Sequence, residues 1–457
     1  MLTRLRFKNF KAWQDSGDIR LAPLTVLFGA NSAGKTSIPQ LLLLLKQTAE
    51  SPDRQRALQL GDSRTLVDLG SYDEAVHNHD MSQPLHIELD FTLGEPLRAA
   101  DPLSGRVYAG SAVAFAVSIV ADTRHQPLVQ AFRYTLSDAG TGVLGVEMRR
   151  RESDEAFDLS ADHYVPVRHA GRASPLPAPV RFYGFPEEAT AYYQNTAVLS
   201  DLVLELERVL KSLYYVGPLR EYPRRLYLWS GETPDHVGIK GDRAVEAILA
   251  AGGRTFDWPR QETGPLAELV AERLRTMGLI SSFQVKPLGQ HRKEYEVLVR
   301  TSPTLPEVKL TDVGFGVSQV LPVIVEALYV PRRSTVIFEQ PEIHLHPRVQ
   351  ADLADLFVDA IRARENGLPR QCQFIVESHS EHFLRRLQRR IAEKDLSADD
   401  AALYFVDTGG AGARIEALEV DPFGNIRNWP EGFFGDEMTD LVARSEAQAR
   451  RMRAGEK

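Results

Sequence analysis

The stretch LTVLFGANSAGKTSIPQLLLLLKQ, residues 24–47, decides how the rest of the chain is read. A nearly pure apolar run ends at a glycine-rich segment, and an apolar helical pattern follows it. Within it, GANSAGKT fits G-x-x-x-x-G-K-[ST] at Gly29, Gly34, Lys35 and Thr36. A chain of this length meets that pattern by chance roughly one or two times in a hundred. The strand–loop–helix context, which a phosphate-binding loop requires, narrows it further. Glycines let successive backbone N–H groups point inward around a phosphate, and the helix N-terminus adds positive potential. Asn31, Ser32, Ala33 and Ser37 complete the loop expected to cradle the phosphates. Lys35 is expected to reach the β- and γ-phosphates as a point charge, and Thr36 to offer its hydroxyl to a metal. ATP and Mg²⁺ are the expected ligands.

Outward from the loop, residues 2–9 and 18–28 read as strands. Residues 85–93, 106–120, 128–137 and 143–150 alternate or run apolar between Gly, Asp and Pro, and read as antiparallel strands. Residues 197–215 place Val198, Leu202, Leu206, Val209 and Leu213 on one helix face, with Thr196 as the expected cap. Helices are expected near 243–251 and 265–277, and a hairpin over 282–301. From 310 onward, apolar strands alternate with helices: a helix from TDVGFGVSQ, a strand STVIFEQ, a helix from HPRVQ, a strand QFIVES, a helix EHFLRRLQRRIAE and a strand pair near 402–420. That alternation argues for a parallel sheet covered on both faces. The expected fold is α/β: a mixed, mostly parallel core sheet with helices on both faces, an antiparallel β lobe and a helical insertion. Residues 1–95 and 301–410 are read as the two parts of one nucleotide-binding domain, 96–300 as the inserted lobe and helical subdomain, and 411–457 as a small C-terminal domain. Residues 96–300 hold no sustained heptads, so no long coiled-coil arm is encoded there.

Composition sets outer limits. The 457 residues are a soft prior of about three domains' worth of chain. The single cysteine, Cys372, excludes an intramolecular disulfide and any cysteine-based zinc site. No apolar run reaches the ~18–20 residues that span a bilayer, and MLTRLRFKNF alternates like a strand rather than forming a signal block. A cytoplasmic protein without membrane contact is expected. The net charge of −8 excludes a whole-protein basic field for gripping DNA. Local clusters exist: Arg149–Arg151, Arg220 with Arg224–Arg225, Arg385–Arg386 with Arg389–Arg390, and Arg450, Arg451 and Arg453. They are read as solvated faces.

A second stretch, TVIFEQPEIHLHP at 335–347, bears on chemistry. A phosphate-loop enzyme needs a carboxylate at the end of a neighbouring buried strand to hold Mg²⁺ directly or through water, and Glu339 supplies it. Gln340 and Glu342 then fall beside the γ-phosphate. His344 and His346 are two apart and share no helix face, so they are read as loop packing rather than a zinc site.

Taken together, GANSAGKTS, DVGFGVSQVLP, VIFEQPEIHLHP and FIVESHSEHFL resemble the motif set of ABC-type ATPases. The chain resembles the branch shared by overcoming-lysogenization-defect ATPases, RecF and the SMC heads, over roughly 1–95 and 305–385. The C-terminal NWPEGFF resembles an uncharacterised domain that follows such ATPases in bacterial genomes. The resemblance implies that Gly314, Gly316, Ser318 and Gln319 form a signature that contacts the γ-phosphate bound to an opposite subunit. It implies that His379 is a switch sensing that phosphate. It also implies a head-to-tail homodimer, or a higher oligomer, with ATP sandwiched at the interface. One departure stands out. The usual second acid, which polarises the attacking water, is Gln340 here, and glutamine cannot accept a proton. Three outcomes stay open: hydrolysis with Glu342 as base, slow hydrolysis by water orientation, or ATP used mainly as a clamp. Slow turnover and a long-lived ATP-bound dimer are expected. After His379 only 78 residues remain, too few for a full nuclease domain. A separate effector, a nuclease or toxin, is therefore the expected partner, in an antiphage setting. A RecF-like clamp acting on DNA and a nucleotide-gated scaffold are the alternatives.

Overall fold

The computed structural model describes residues 1–457 except 172–173, 260–262, 290–291, 411, 431–444, 446 and 449–457. The segment NWPEGFF therefore falls partly, and Arg450, Arg451 and Arg453 wholly, outside the described residues.

Among the described residues, the central sheet has six strands in the order Leu213–Val216, Thr335–Glu339, Gln373–Glu377, Leu24–Gly29, Ala401–Gly409 and Gly412–Ala417. The first five are parallel and the last is antiparallel to its neighbour. Each inner strand is buried on both sides, which is why these segments read as unbroken apolar runs rather than alternating ones. Alternate residues feed two cores. Leu27, Ile337 and Ile375 pack with the helices Ser37–Glu50 and Ala197–Lys211. Val26, Phe28, Phe338 and Phe374 pack with Phe315–Tyr329, Pro347–Arg362 and Glu381–Ala392 on the opposite face. The fold is thus the expected mixed α/β sheet with helices on both faces.

The first of those cores is shared with an antiparallel sheet. Leu2–Phe10, Leu85–Ala100, Val107–Ala121, Pro127–Asp138, Thr141–Arg150 and Phe157–Asp162 follow one another across it. In the first of the long strands Leu85, Ile87, Leu89 and Phe91 face inward in strict alternation, the pattern of a sheet covered on one side. The division at 95/96 falls inside the strand Leu85–Ala100.

Two local readings change. Residues 18–28 are not one strand: Ile19–Arg20 pairs with the antiparallel sheet and Leu24–Gly29 with the parallel one. Pro23, which has no N–H to donate, marks the crossing between sheets. Residues 197–215 are not one helix. The helix ends at Lys211, where the Ser212 backbone N–H bonds Arg208 O and its hydroxyl bonds Val209 O. Leu213–Val216, rich in aromatic and branched side chains, becomes the edge of the parallel sheet. Thr196 sits at the helix start but its side chain makes no capping bond.

Candidate functional site

The phosphate loop leaves the strand Leu24–Gly29 in a shape that only some residues tolerate. Gly29 has φ 140°, and a Cβ there would lie 1.9 Å from Val406 O. Gly34 has φ 97°, with the Ala413 Cβ 2.9 Å and Trp13 Nε1 3.1 Å from where a Cβ would sit. The Trp13 indole N–H donates to Gly34 O at 3.0 Å, so the antiparallel sheet braces the loop from outside.

Lys35 is buried at 3% exposure, and its ammonium donates to Gly29 O (3.1 Å) and Ala30 O (2.6 Å). Burial lowers its pKa, and the carboxylates of Glu377 and Glu342 pull the other way. A triphosphate arriving in the loop would compete with these two carbonyls for the ammonium.

Around the loop lies a cavity of about 510 Å³. Asn31, Ser32, Gly34, Lys35, Thr36 and Ser37 line it. Gln340, Glu377 and His379 line it too, together with Lys11, Ala12, Glu74, Val76, Asn78 and His79. The structure thus brings the loop, Gln340 and His379 together as expected. Ala33 is buried beneath the loop instead of lining it.

The acids are arranged differently from the expectation. Glu339 and Glu377 are register partners on adjacent parallel strands. Glu339 does not line the cavity. Its Oε2 accepts a 2.6 Å bond from the Tyr215 hydroxyl on the edge strand, and burial raises its pKa. Glu377 stands next to the loop strand, where the Thr36 hydroxyl donates to its two oxygens at 3.1 and 3.0 Å. Burial, followed by repulsion from Glu339, pushes its pKa up to about 7. Sequence reasoning passed over Glu377, although FIVE ends on an acid just as VIFE does.

Glu342 is 6% exposed and does not line the cavity. Its Oε1 accepts from the Ser378 hydroxyl (2.8 Å) and the His379 backbone N–H (2.6 Å), while its Oε2 is buried with no partner. These contacts hold the turn that carries His379. Burial raises the Glu342 pKa. Burial, with Lys35 nearby, lowers that of His379, so its imidazole favours the neutral form. Gln340 has φ 44°, and its N–H bonds Glu377 O at 2.9 Å.

Arg220, read as part of a solvated cluster, is instead 6% exposed. Its Nη2 donates to Glu339 O (3.5 Å) and Gln340 O (3.4 Å), and its Nε and Nη1 are buried without partners. On Glu381–Ala392, Arg385, Arg386, Arg389 and Arg390 are each paired with acids.

The signature residues do not line the Lys35 cavity. Gly314 is exposed at the start of Phe315–Tyr329, with open space where a Cβ would be. A Cβ added at Gly316 would lie 3.6 Å from the Leu345 side chain. The Ser318 hydroxyl donates to Phe315 O at 2.8 Å, and Gln319 is buried with an unpartnered Nε2. The His344 ring lies 5.1 Å from that of Phe315, and His346 caps Pro347–Arg362 through Nδ1.

Comparisons with known proteins bear on this arrangement. Residues 264–384 match the family described as AAA ATPase domain. Residues 396–443 match the family described as Protein of unknown function (DUF3696), a span that includes the sheet strand Ala401–Gly409. The first match holds the signature helix, both acid-ended strands and His379, and begins after the phosphate loop. No curated protein matches the chain. Among solved structures it is similar to a SmcHead bound to the C-winged helix domain of ScpA, at 9% identity and TM-score 0.45, covering 92% of this chain and 98% of that one. It is also similar to the SMC head domain from Thermotoga maritima, at 12% identity and TM-score 0.40, covering 92% and 99%. A third is an Smc head with an extended coiled coil bound to the C-terminal domain of ScpA, derived from Pyrococcus furiosus, at 8% identity and TM-score 0.39, covering 97% and 99%. Among the described residues, no helix is long and apolar enough to cross a membrane.

Proposed function

We propose, from the match of residues 264–384 to the family described as AAA ATPase domain, that the chain binds and slowly hydrolyses ATP. In this reading two copies close head-to-tail around ATP, and the closed pair controls a separate effector, a nuclease or toxin, in bacterial antiphage defence in the cytoplasm. The observation that carries the ATPase reading is that Lys35, Thr36, Gln340, Glu377 and His379 line one cavity at the C-terminal ends of parallel strands. Ligands of open α/β sheets bind at that end.

Each residue has a part. The loop N–H groups and Lys35 bind the phosphates. Hard oxygen donors suit Mg²⁺, and Thr36 with a carboxylate from the two acid-ended strands would hold it. The metal, when bound, neutralises charge on the phosphate oxygens. Gln340 orients water through its amide carbonyl without taking its proton. His379, held by Glu342 through its backbone N–H, contacts the terminal phosphate. Glu342, turned into the protein with one oxygen fully engaged, serves better as this brace than as the base. Without a base at position 340, turnover forgoes a contribution typically of about 10²–10⁴.

Turnover and equilibrium ATP binding of variants test the reading. Lys35→Ala abolishes ATP binding. Gln340→Glu accelerates hydrolysis, and Glu342→Gln, which keeps an accepting oxygen for Ser378 and His379, changes it little. Should Glu342→Gln abolish turnover with ATP still bound while Gln340→Glu leaves it unchanged, Glu342 is the base. Copurification of the protein with the products of neighbouring genes tests the effector. Recovery of the ATPase alone, with and without ATP, counts against one.

A further inference from the structure

We propose that Glu377, and not Glu339, is the carboxylate that holds the divalent metal beside Thr36; the inference rests on the ATPase reading above. Glu339 and Glu377 end two adjacent parallel strands in direct register, so strand position alone does not separate them. Their partners do. Glu339 is committed on its outer side to the Tyr215 phenol at 2.6 Å, on the edge strand. Glu377 lies on the strand that pairs with the phosphate-loop strand, and it lines the nucleotide cavity together with Lys35 and Thr36.

The Thr36 bond is of the right kind. Its single hydroxyl proton is directed at the two Glu377 oxygens, at 3.1 and 3.0 Å. A hydroxyl that donates in this way keeps its lone pairs for a cation. The carboxylate meanwhile retains acceptor capacity of its own, for the metal or for a metal-bound water. Magnesium is usually held by one or two carboxylates plus phosphate oxygens and waters, which this donor set meets without a further protein cage. Glu339 is then a positioning residue, pinned by Tyr215, that adds negative potential behind the metal.

The test uses the full-length protein with Mn²⁺ as the probe and a slowly hydrolysed ATP analogue, with bound Mn²⁺ read by electron paramagnetic resonance. Expected results are a loss of Mn²⁺ affinity of about 10–100-fold in Glu377→Gln and near wild-type affinity in Glu339→Gln, with metal-free nucleotide binding retained in both. Glu377→Asp keeps the charge on a shorter arm and recovers part of the loss, which separates lost ligation from misfolding. Wild-type metal affinity in Glu377→Gln, or the large loss appearing in Glu339→Gln instead, overturns the inference and leaves the ATPase reading standing. A wild type that binds no nucleotide overturns both.

Discussion

In the proposed reading, Gln340 is where residue identity bears most directly on the rate. It follows the strand Thr335–Glu339 in a left-handed conformation and lines the same cavity as Lys35. Its carbonyl receives Arg220 at 3.4 Å, and Arg220 has two further buried nitrogens without partners. Replacing Arg220 with Met removes that hold on the Gln340 peptide, so turnover should fall while ATP affinity stays near wild type; unchanged turnover would contradict the role. Gly29 is fixed by geometry rather than chemistry. Gly29→Ala places a methyl 1.9 Å from Val406 O, and a loss on the order of 3 kcal/mol in denaturant unfolding is expected. The loop from Gly29 to Thr36 was legible because glycine spacing and lysine have a narrow physical meaning there. Glu377 and Arg220 were not, because what distinguishes them is the neighbour across the sheet. An arginine in a basic run looks solvated until a strand end covers it.

At the scale of elements, the signature helix Phe315–Tyr329 carries a buried acid that has no part in the cavity. Glu326 is wholly buried. Its Oε2 accepts from the Val237 N–H at 2.9 Å, its Oε1 has no hydrogen-bond partner, and the His236 ring lies 3.7 Å away. Burial pushes its pKa up to about 8, with Arg370 pulling down. The unfolded chain gives up this proton near the ordinary value of 4.5 and the folded one only near 8, so stability falls as pH rises between them. The slope is at most about 1.4 kcal/mol per pH unit. Glu326→Gln keeps an acceptor for Val237 and should flatten that slope, as seen by comparing denaturation at about pH 6 and about pH 8. An unaltered slope would show that the acid is not neutral in the fold. Most elements were legible from periodicity, because buried parallel strands and amphipathic helices have distinct patterns. The strand Leu213–Val216 was hidden because Leu213 continues the apolar spacing of the helix before it. Only the neighbouring strand Thr335–Glu339 makes that segment extended.

For the molecule as a whole, the parallel sheet and the antiparallel sheet share one core, and the phosphate loop is braced by both. Domain limits were hard to place because long strands such as Leu85–Ala100 run across them. The signature residues and the Lys35 cavity lie apart on one copy, so a nucleotide enclosed by both requires a second copy. That is the central claim, and mixing two inactive variants tests it most directly. Lys35→Ala lacks the phosphate loop's charge, and Ser318→Arg blocks the signature; each alone should lack turnover. In a mixed pair, the intact loop of one chain meets the intact signature of the other. The account predicts that ATP turnover appears on mixing the two. Silence of the mixture, with each variant folded and Ser318→Arg still binding ATP, or full activity of Ser318→Arg alone, would contradict it.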